Sequence, residues 1–326
     1  MRTVRLAGLT VSAQGLGCMG MSEFYGPADR QQCIATVRHA LDLGVTLLDT
    51  ADMYGRGHNE ELLAEAIAGR RHEVQIATKF GVDRSAGDNA RVMRGEPAYV
   101  RSSAEASLRR LGVDVIDLYY LHRPPQNTPI EETVGAMAEL VTEGKVRCLG
   151  LSEVDGELLR RADAVHPITA VQSEYSLFAR DPQTQVAETL RELDVALVPY
   201  SPLGRGYLTG MDVRALDPTD LRPAFPRLSG AAEESNRLLV DVVRSVADRR
   251  GLAPAQVALA WVHSRAEPLG VPVVPIPGAR RPEHVTQNAL AADLVLDGEA
   301  LQELEGLGDR VVGERYPARY PDPASR

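Results

Sequence analysis

Apolar and polar positions follow one rhythm along this chain: an amphipathic helical stripe, then a short apolar run that turns polar at its end. A stripe over residues 30–43 stops at Gly44 and leads to the run 46–49. Asn59 reads as the N-cap of a helix over 60–68, which precedes the run 74–79. A helix opened by Pro97 leads to 115–122, and one over 129–143, stopped by Gly144, leads to 146–152. Helices over 155–165 and 182–193 precede the runs 168–172 and 195–200. Two helices, 233–250 and 254–264, lead to the last run, 273–277.

Counting residues 16–18 as the first, eight short strands alternate with helices. Strict alternation predicts a parallel sheet, and eight units predict an α/β fold closed into a (β/α)8 TIM barrel. Residues 4–6 and 10–12 predict a short N-terminal β-hairpin ahead of it. No Pro/Gly/Ser-rich linker or charge block divides the chain, so a single barrel domain over 1–326 is expected. Connections 81–96 and 201–232 exceed the usual loop length. Both follow strands, which puts both on the rim where barrels carry chemistry, as substrate lids.

Composition removes alternatives. A chain with 44% hydrophobic and 25% charged residues is ordinary for a soluble globular protein. No apolar run reaches the ~18 residues of a membrane span, and the start at Met1 carries no signal-peptide segment. A net charge of −9 speaks against non-specific nucleic-acid binding. Cys18, Cys33 and Cys148 have neither metal-ligand nor redox spacing, which suits a reducing cytoplasm. Arginine pairs starting at 109, 160 and 249 fall late in predicted helices, where their charge suits the helix dipole. Of 36 lysines and arginines only Lys79 and Lys145 are lysine. A position that keeps lysine is a candidate for needing an amine, because arginine is larger, forked and never deprotonated.

Polar residues recur where the strands end: Asp49, Lys79, His122, Ser152, Gln172 and Tyr200, with Tyr54 five residues beyond Asp49. Singly, each could cap a strand or solvate the rim. Together on one face they read as an active site. No histidine stands in H-x-H or H-E-x-x-H spacing, so no metal site is expected. Gly15 to Gly20 match G-x-G-x-x-G, yet the next helix begins only near Ala28-Asp29, too late to aim its N-terminus at a pyrophosphate. A phenol, an ammonium, a carboxylate and an imidazole do make a proton-donating group. The ammonium favours phenolate and should lower the tyrosine's pKa, the carboxylate keeps the ammonium charged, and the imidazole can fix a substrate oxygen.

Leu48 to Gly55, Thr78-Lys79-Phe80, Tyr120 to Arg123, Gly150 to Glu153, Gln172, Tyr200 to Gly206 and Ile276 to Arg280 together resemble the aldo-keto reductases. The resemblance runs from about Gly15 to Leu290, with every block in order. It looks most like the branch of perakine reductase-like bacterial and plant NADPH-dependent reductases, from Gly20-Met21-Ser22 and the Ile-Pro-Gly-x-Arg block.

The resemblance implies a catalytic tetrad of Asp49, Tyr54, Lys79 and His122, with Tyr54 as general acid. It implies NADPH as cofactor and an aldehyde or ketone as substrate, with no nucleic-acid or membrane partner. Ser152 and Gln172 would hold the nicotinamide carboxamide and Tyr200 would stack on its ring. Ser201, Leu203 and Arg205 would cover the pyrophosphate, Gly20 and Met21 would line the cofactor's path, and Arg280, beside Gly278, would face the adenosine 2′-phosphate. Gln287 and Asn288 would lie near the adenine. Glu153 stands where better-studied mammalian members have asparagine, and Gly278 where they have lysine, which marks a different branch. Two rival readings are a non-catalytic, redox-sensing subunit of the same fold and a Rossmann dehydrogenase. The intact tetrad and the missing N-terminal extension argue against the first. The second leaves the strand-tip residues without a role.

Overall fold

The computed structural model describes residues 1–87 and 90–317. Strands β1 (Thr3–Leu6) and β2 (Leu9–Ser12) pair antiparallel as the expected hairpin. The barrel strands are β3 (Leu16–Gly17), β4 (Leu47–Asp49) and β5 (Gln75–Phe80), followed by four more after the first rim loop. That loop carries its own antiparallel pair, β6 (Val82–Asp83) and β7 (Val92–Met93); residues 88 and 89 lie outside the described residues. Then come β8 (Ile116–Leu121), β9 (Val146–Ser152), β10 (Ile168–Glu174) and β11 (Ala196–Tyr200). The sheet order is β3-β4-β5-β8-β9-β10-β11, with every neighbouring pair parallel.

Residues 272–278 close the barrel. Val273 bridges Leu197 of β11, and Gly278 bridges Gly17 of β3. Toward β11 the segment both gives and takes: Val274 N donates to Leu197 O at 3.0 Å, and Pro272 O accepts from Leu197 N at 2.9 Å. Toward β3 it only accepts, through Pro275 O from Gly15 N (2.9 Å) and Pro277 O from Gly17 N (3.2 Å), because proline has no N–H. The first two glycines of the G-x-G-x-x-G run belong to this seam. A Cβ on Gly17 would stand 2.7 Å from Ile276 O, and one on Gly15 would stand 2.9 Å from both Ile276 Cγ2 and Leu47 O. No helix opens at Gly20, so the dinucleotide-fingerprint reading is excluded.

The outer layer is helical: α1 (Arg30–Asp42), α2 (His58–Ala66), α3 (Pro97–Leu111), α4 (Ile130–Thr142) and α5 (Gly156–Asp163). It continues with α6 (Pro182–Gln185), α7 (Ala187–Leu193), α8 (Gly230–Arg250), α9 (Pro254–His263), α10 (Ala266–Leu269), α11 (Pro282–Leu290) and α12 (Gly298–Glu305). Asp29 caps α1 by accepting from Gln32 N at 2.7 Å, and Gly112 ends α3 in the left-handed region. Two expectations are corrected. Helix α2 starts after Gly57 (φ 95°), so Asn59 is not its cap. Its buried side chain instead accepts from Thr50 Oγ1 (2.6 Å) and donates to Cys18 O (2.9 Å) and Ser22 Oγ (2.8 Å). The helix expected over 182–193 breaks at Val186 (φ −138°, ψ −15°) into α6 and α7.

Apolar side chains fill two layers. Leu47, Ala77, Leu118, Tyr120, Ala170, Val198 and Ile276 fill the barrel's inside, joined by Leu6, Leu9 and Val11, so the hairpin plugs the end opposite the strand tips. The larger cluster packs the outward strand positions against the helices. The second rim loop, 201–232, is not structureless: it winds through 3-10 turns at Gly204–Thr209, Val213–Ala215, Arg222–Ala224 and Pro226–Leu228.

Candidate active site

Side chains alternate across a strand, so every second residue faces the inside of the barrel. Leu47, Ala77, Tyr120, Ala170 and Val198 occupy the inner core. Two residues further on, the same face is occupied by Asp49, Lys79, His122, Gln172 and Tyr200. The tip residues lie at or near the ends of their strands, where the apolar filling gives way to polar groups, and on β10 Glu174 carries the same face one inward position beyond Gln172.

Lys79 is fully buried. Its ammonium donates to Asp49 Oδ1 at 2.5 Å and to Thr50 O at 2.8 Å. Gln172 Nε2 donates to the other Asp49 oxygen at 2.8 Å, so both carboxylate oxygens are held. Burial works against the Lys79 charge, but Asp49 and Tyr54 together outweigh it and hold the ammonium above the usual lysine range. Behind this pair the outward face is also satisfied: Thr78 donates to Glu60 at 2.6 Å, and Arg110 reaches the same buried carboxylate at 2.6 Å. Arg110 therefore does more than oppose the dipole of α3.

Tyr54 opens a tight turn in which Gly55, Arg56 and Gly57 all have positive φ (55°, 53° and 95°). Glu23 anchors that turn by accepting from Gly55 N at 2.9 Å while Arg84 clamps its carboxylate at 2.6 and 2.7 Å. The turn sets the Tyr54 ring 5.2 Å from the Lys79 ammonium and 5.8 Å, edge-on, from the His122 ring. The expectation of a lowered phenol pKa is corrected here. Burial raises the Tyr54 pKa by more than Lys79 lowers it. At rest the phenol keeps its proton. His122 is pushed well below the ordinary histidine range, by burial first and then by Arg123 and Lys79, so its imidazole is neutral.

These groups open onto a cavity of about 1520 Å³. Pockets for drug-sized ligands hold ~300–1,000 Å³, so this one has room for an extended ligand with a second small molecule. Asp49, Tyr54 and His122 line it, while Lys79 stays behind them. Gly20, Ser152, Gln172, Tyr200, Ser201, Leu203, Arg205, Gly278, Arg280, Gln287 and Asn288 also line it. Met21 does not: its side chain is buried in the outer core. Gly204, Arg205 and Gly206 turn with φ of 55°, 59° and 92°. Arg280 and Arg281 stand at the N-terminus of α11, where backbone N–H groups and the dipole favour anions. Arg280 Nη1 donates to Tyr25 O (2.8 Å) and Pro27 O (2.9 Å). Arg281 lies on the surface, 3.9 Å from Glu283.

The partners of several residues at the mouth, Glu174, Phe225, Arg315 and Tyr316 among them, carried no signal in the sequence. Glu153, in the left-handed region (φ 55°), is ion-paired with buried Arg315 at 2.7 Å. Burial opposes the Glu153 charge, but Arg123 and Arg315 outweigh it and hold the carboxyl below its usual range. Glu174 pairs with Arg205 at 2.9 Å, and the Arg205 guanidinium lies over the rings of Phe225 (4.3 Å) and Tyr316 (5.0 Å). The Tyr316 and Tyr200 hydroxyls meet at 2.7 Å, so the segment after the barrel crosses its mouth. Arg123 donates through Nη1 to His122 O (2.6 Å) and Ser152 Oγ (3.1 Å). Among the described residues no cluster of three or more metal-ligating side chains exists, and no helix is long and apolar enough to cross a membrane.

The chain matches the aldo/keto reductase family over residues 14–309. It is similar to the glycerol dehydrogenase AKR11B4 from Gluconobacter oxydans at 29% identity, covering 98% of each chain with a TM-score of 0.85. It is similar at 30% identity to an aldo/keto reductase from Klebsiella pneumoniae solved with NADP and acetate, covering 96% of this chain and 98% of that one (TM-score 0.73). The aldo-keto reductase AKR11C1 from Bacillus halodurans, in its holo form, is 27% identical over 98% of this chain and 99% of its own, with a TM-score of 0.77.

Proposed function

Since the chain belongs to the aldo/keto reductase family, we propose that it reduces an aldehyde or ketone to an alcohol using NADPH, with Tyr54 as proton donor. The observation that carries this reading is the fully buried Lys79 ammonium, fixed by Asp49 and standing 5.2 Å from the Tyr54 ring. The Klebsiella relative was solved with NADP, which supports the same cofactor here. The residues fit it. The turn 204–206 offers a backbone cradle, and the α11 N-terminus with Arg280 offers a phosphate site. The cavity has room for both cofactor and substrate.

Bound NADPH supplies the hydride for the carbonyl carbon. Tyr54 gives its proton to the carbonyl oxygen, and its raised pKa means that it begins protonated. As the proton leaves, the Lys79 ammonium stabilises the phenolate that forms. Asp49 keeps Lys79 charged and pointed, and Gln172 fixes the second Asp49 oxygen. Neutral His122 offers one ring N–H to hold the carbonyl oxygen beside Tyr54. Ser152 and Gln172 would hold the carboxamide, Tyr200 the nicotinamide face, Ser201 to Arg205 the pyrophosphate, Arg280 the 2′-phosphate, and Gln287 with Asn288 the adenine. Gly20-Met21-Ser22 and the block Ile276 to Arg280 support a perakine reductase-like branch. The free thiols of Cys18, Cys33 and Cys148 suit work in the cytoplasm, and one family match over residues 14–309 suits a single barrel domain.

The test is NADPH oxidation against a panel of aldehydes, ketones and quinones, for the wild type and Tyr54→Phe. The wild type should turn over at least one carbonyl. Tyr54→Phe should lose about 10²–10⁴-fold in turnover with cofactor affinity retained. Cofactor binding with no turnover on any carbonyl would favour a non-catalytic subunit instead.

A further inference from the structure

Arg123 follows His122 at the end of β8 and lines the cavity beside Tyr54 and His122. Its Nη1 is tied to His122 O and Ser152 Oγ, which fixes the guanidinium between the tips of β8 and β9. Among the described residues its Nε and Nη2 have no hydrogen-bond partner, and neither is sealed away from the cavity. No carboxylate lies within 4.0 Å of it among the described residues, although other guanidiniums at this mouth have one.

The short ion pairs beside it leave Arg123 out. Arg123, Arg205 and Arg315 are three positive groups; Glu153 and Glu174 are two negative ones. Glu174 answers Arg205, and Glu153 answers Arg315. Lys79 is answered by Asp49, and His122 is neutral. Arg123 has no such short ion pair: Glu153 acts on it from beyond 4.0 Å, and its second donor edge is not sealed from the cavity that Tyr54 and His122 also line. A guanidinium edge binds a carboxylate through two parallel, charge-assisted hydrogen bonds.

We propose that Arg123 recognises a carboxylate carried on the carbon next to the reacting carbonyl, making 2-oxo acids the substrate class. The proposal rests on the carbonyl-reductase reading above. The reaction is R–CO–COO⁻ + NADPH + H⁺ → R–CH(OH)–COO⁻ + NADP⁺. The hydride forms the new C–H bond, Tyr54 delivers the proton to the oxygen, and the carboxylate is unchanged. Arg123 selects the substrate and takes no part in the transfer.

Pyruvate and 2,3-butanedione form a near-isosteric pair in which a carboxylate replaces an acetyl group. kcat/KM is measured for both with NADPH, in the wild type and in Arg123→Gln. The loss on pyruvate should exceed the loss on 2,3-butanedione by about 10- to 150-fold, mainly in KM, as expected for one charge-assisted hydrogen-bonded contact. Equal losses on both would make Arg123 a support for Ser152 and overturn the proposal. A second measurement needs neither turnover nor a variant. Oxamate, a non-reacting analogue of pyruvate, is titrated calorimetrically into the wild-type protein with NADP⁺ bound. Binding of oxamate but not of propanamide supports carboxylate recognition at this site; if every carbonyl in the panel then fails, the reductase reading falls and takes the substrate class with it. Turnover of neutral carbonyls without any binding of oxamate overturns the proposal and leaves the reductase reading standing.

Discussion

Gln172 donates a hydrogen bond of 2.8 Å to Asp49 from the tip of a strand 123 residues further along the chain. Lys79 takes the opposite oxygen of the same carboxylate at 2.5 Å. The ion pair is thus braced from two strands, and Asp49 has no freedom to swing away from the ammonium.

Removing Lys79 should therefore be felt in stability as well as turnover. Lys79→Met leaves the Asp49 charge buried beside a neutral amide, a defect that costs ~3–5 kcal/mol. The double variant Lys79→Met/Asp49→Leu buries no charge and should recover most of that loss while staying inactive. Urea unfolding of both variants measures this; a double variant no more stable than the single one would contradict the buried-charge account.

Arg280 should discriminate between cofactors. A guanidinium has a charged partner in the 2′-phosphate of NADPH and only a neutral hydroxyl in NADH. Arg280→Met should weaken NADPH binding about 10- to 150-fold and leave NADH nearly unchanged. Because Arg280 also holds Tyr25 O and Pro27 O, the NADH titration doubles as the control for the loop. Equal losses for both cofactors would show that the side chain only supports that loop.

Asp52 predicts a pH dependence. Burial, with Glu60 adding to it, pushes its carboxyl up from 3.8 to about 8. Between those values the folded chain binds a proton that the unfolded chain releases, so stability falls as pH rises through the window. The slope from this one group is at most ~1.4 kcal/mol per pH unit. Asp52→Asn should flatten the decline in Tm between pH 5 and pH 8, measured by calorimetry. An unchanged slope would mean that Asp52 is ionised in the fold.

Gly17→Ala should weaken the barrel without touching the tetrad. The added Cβ would stand 2.7 Å from Ile276 O, a backbone atom of the closing segment that has no flexible side chain to swing aside. Overpacking of this kind costs ~1–3 kcal/mol. Thermal unfolding reads the loss; wild-type stability would show that the seam can widen freely.

The barrel and the clustering of Asp49, Tyr54, Lys79 and His122 were legible because both are written in period and position. Apolar runs ending in Asp49, Lys79, His122, Gln172 and Tyr200 carry the inward face of each strand as far as the rim. The aldo-keto reductase blocks then implied roles, proposed above, that periodicity has no means to assign. What stayed hidden depends on contacts between distant segments. Asn59 sits where a cap would be, but Gly57 takes the left-handed turn and frees the amide to reach Cys18, Ser22 and Thr50. Arg315 reaches Glu153 across 162 residues, and no local pattern marks either as the other's partner. The direction of the Tyr54 shift was misjudged because burial, which no motif records, outweighs the neighbouring ammonium.

The closing segment of the barrel has one more consequence. Pro275 and Pro277 have no N–H to offer β3, so this seam is held by half a ladder. Ile276, Pro277, Gly278 and Gly17, which form the seam, also line the cavity. A molecule seated there rests on the suture of the barrel, and its binding free energy opposes local opening at that line. The Gly15 and Gly17 amides, the two that cross the suture to proline carbonyls, are therefore built-in reporters of occupancy. Their deuterium uptake should slow when the cavity is filled, before any change is felt at the far wall of the barrel.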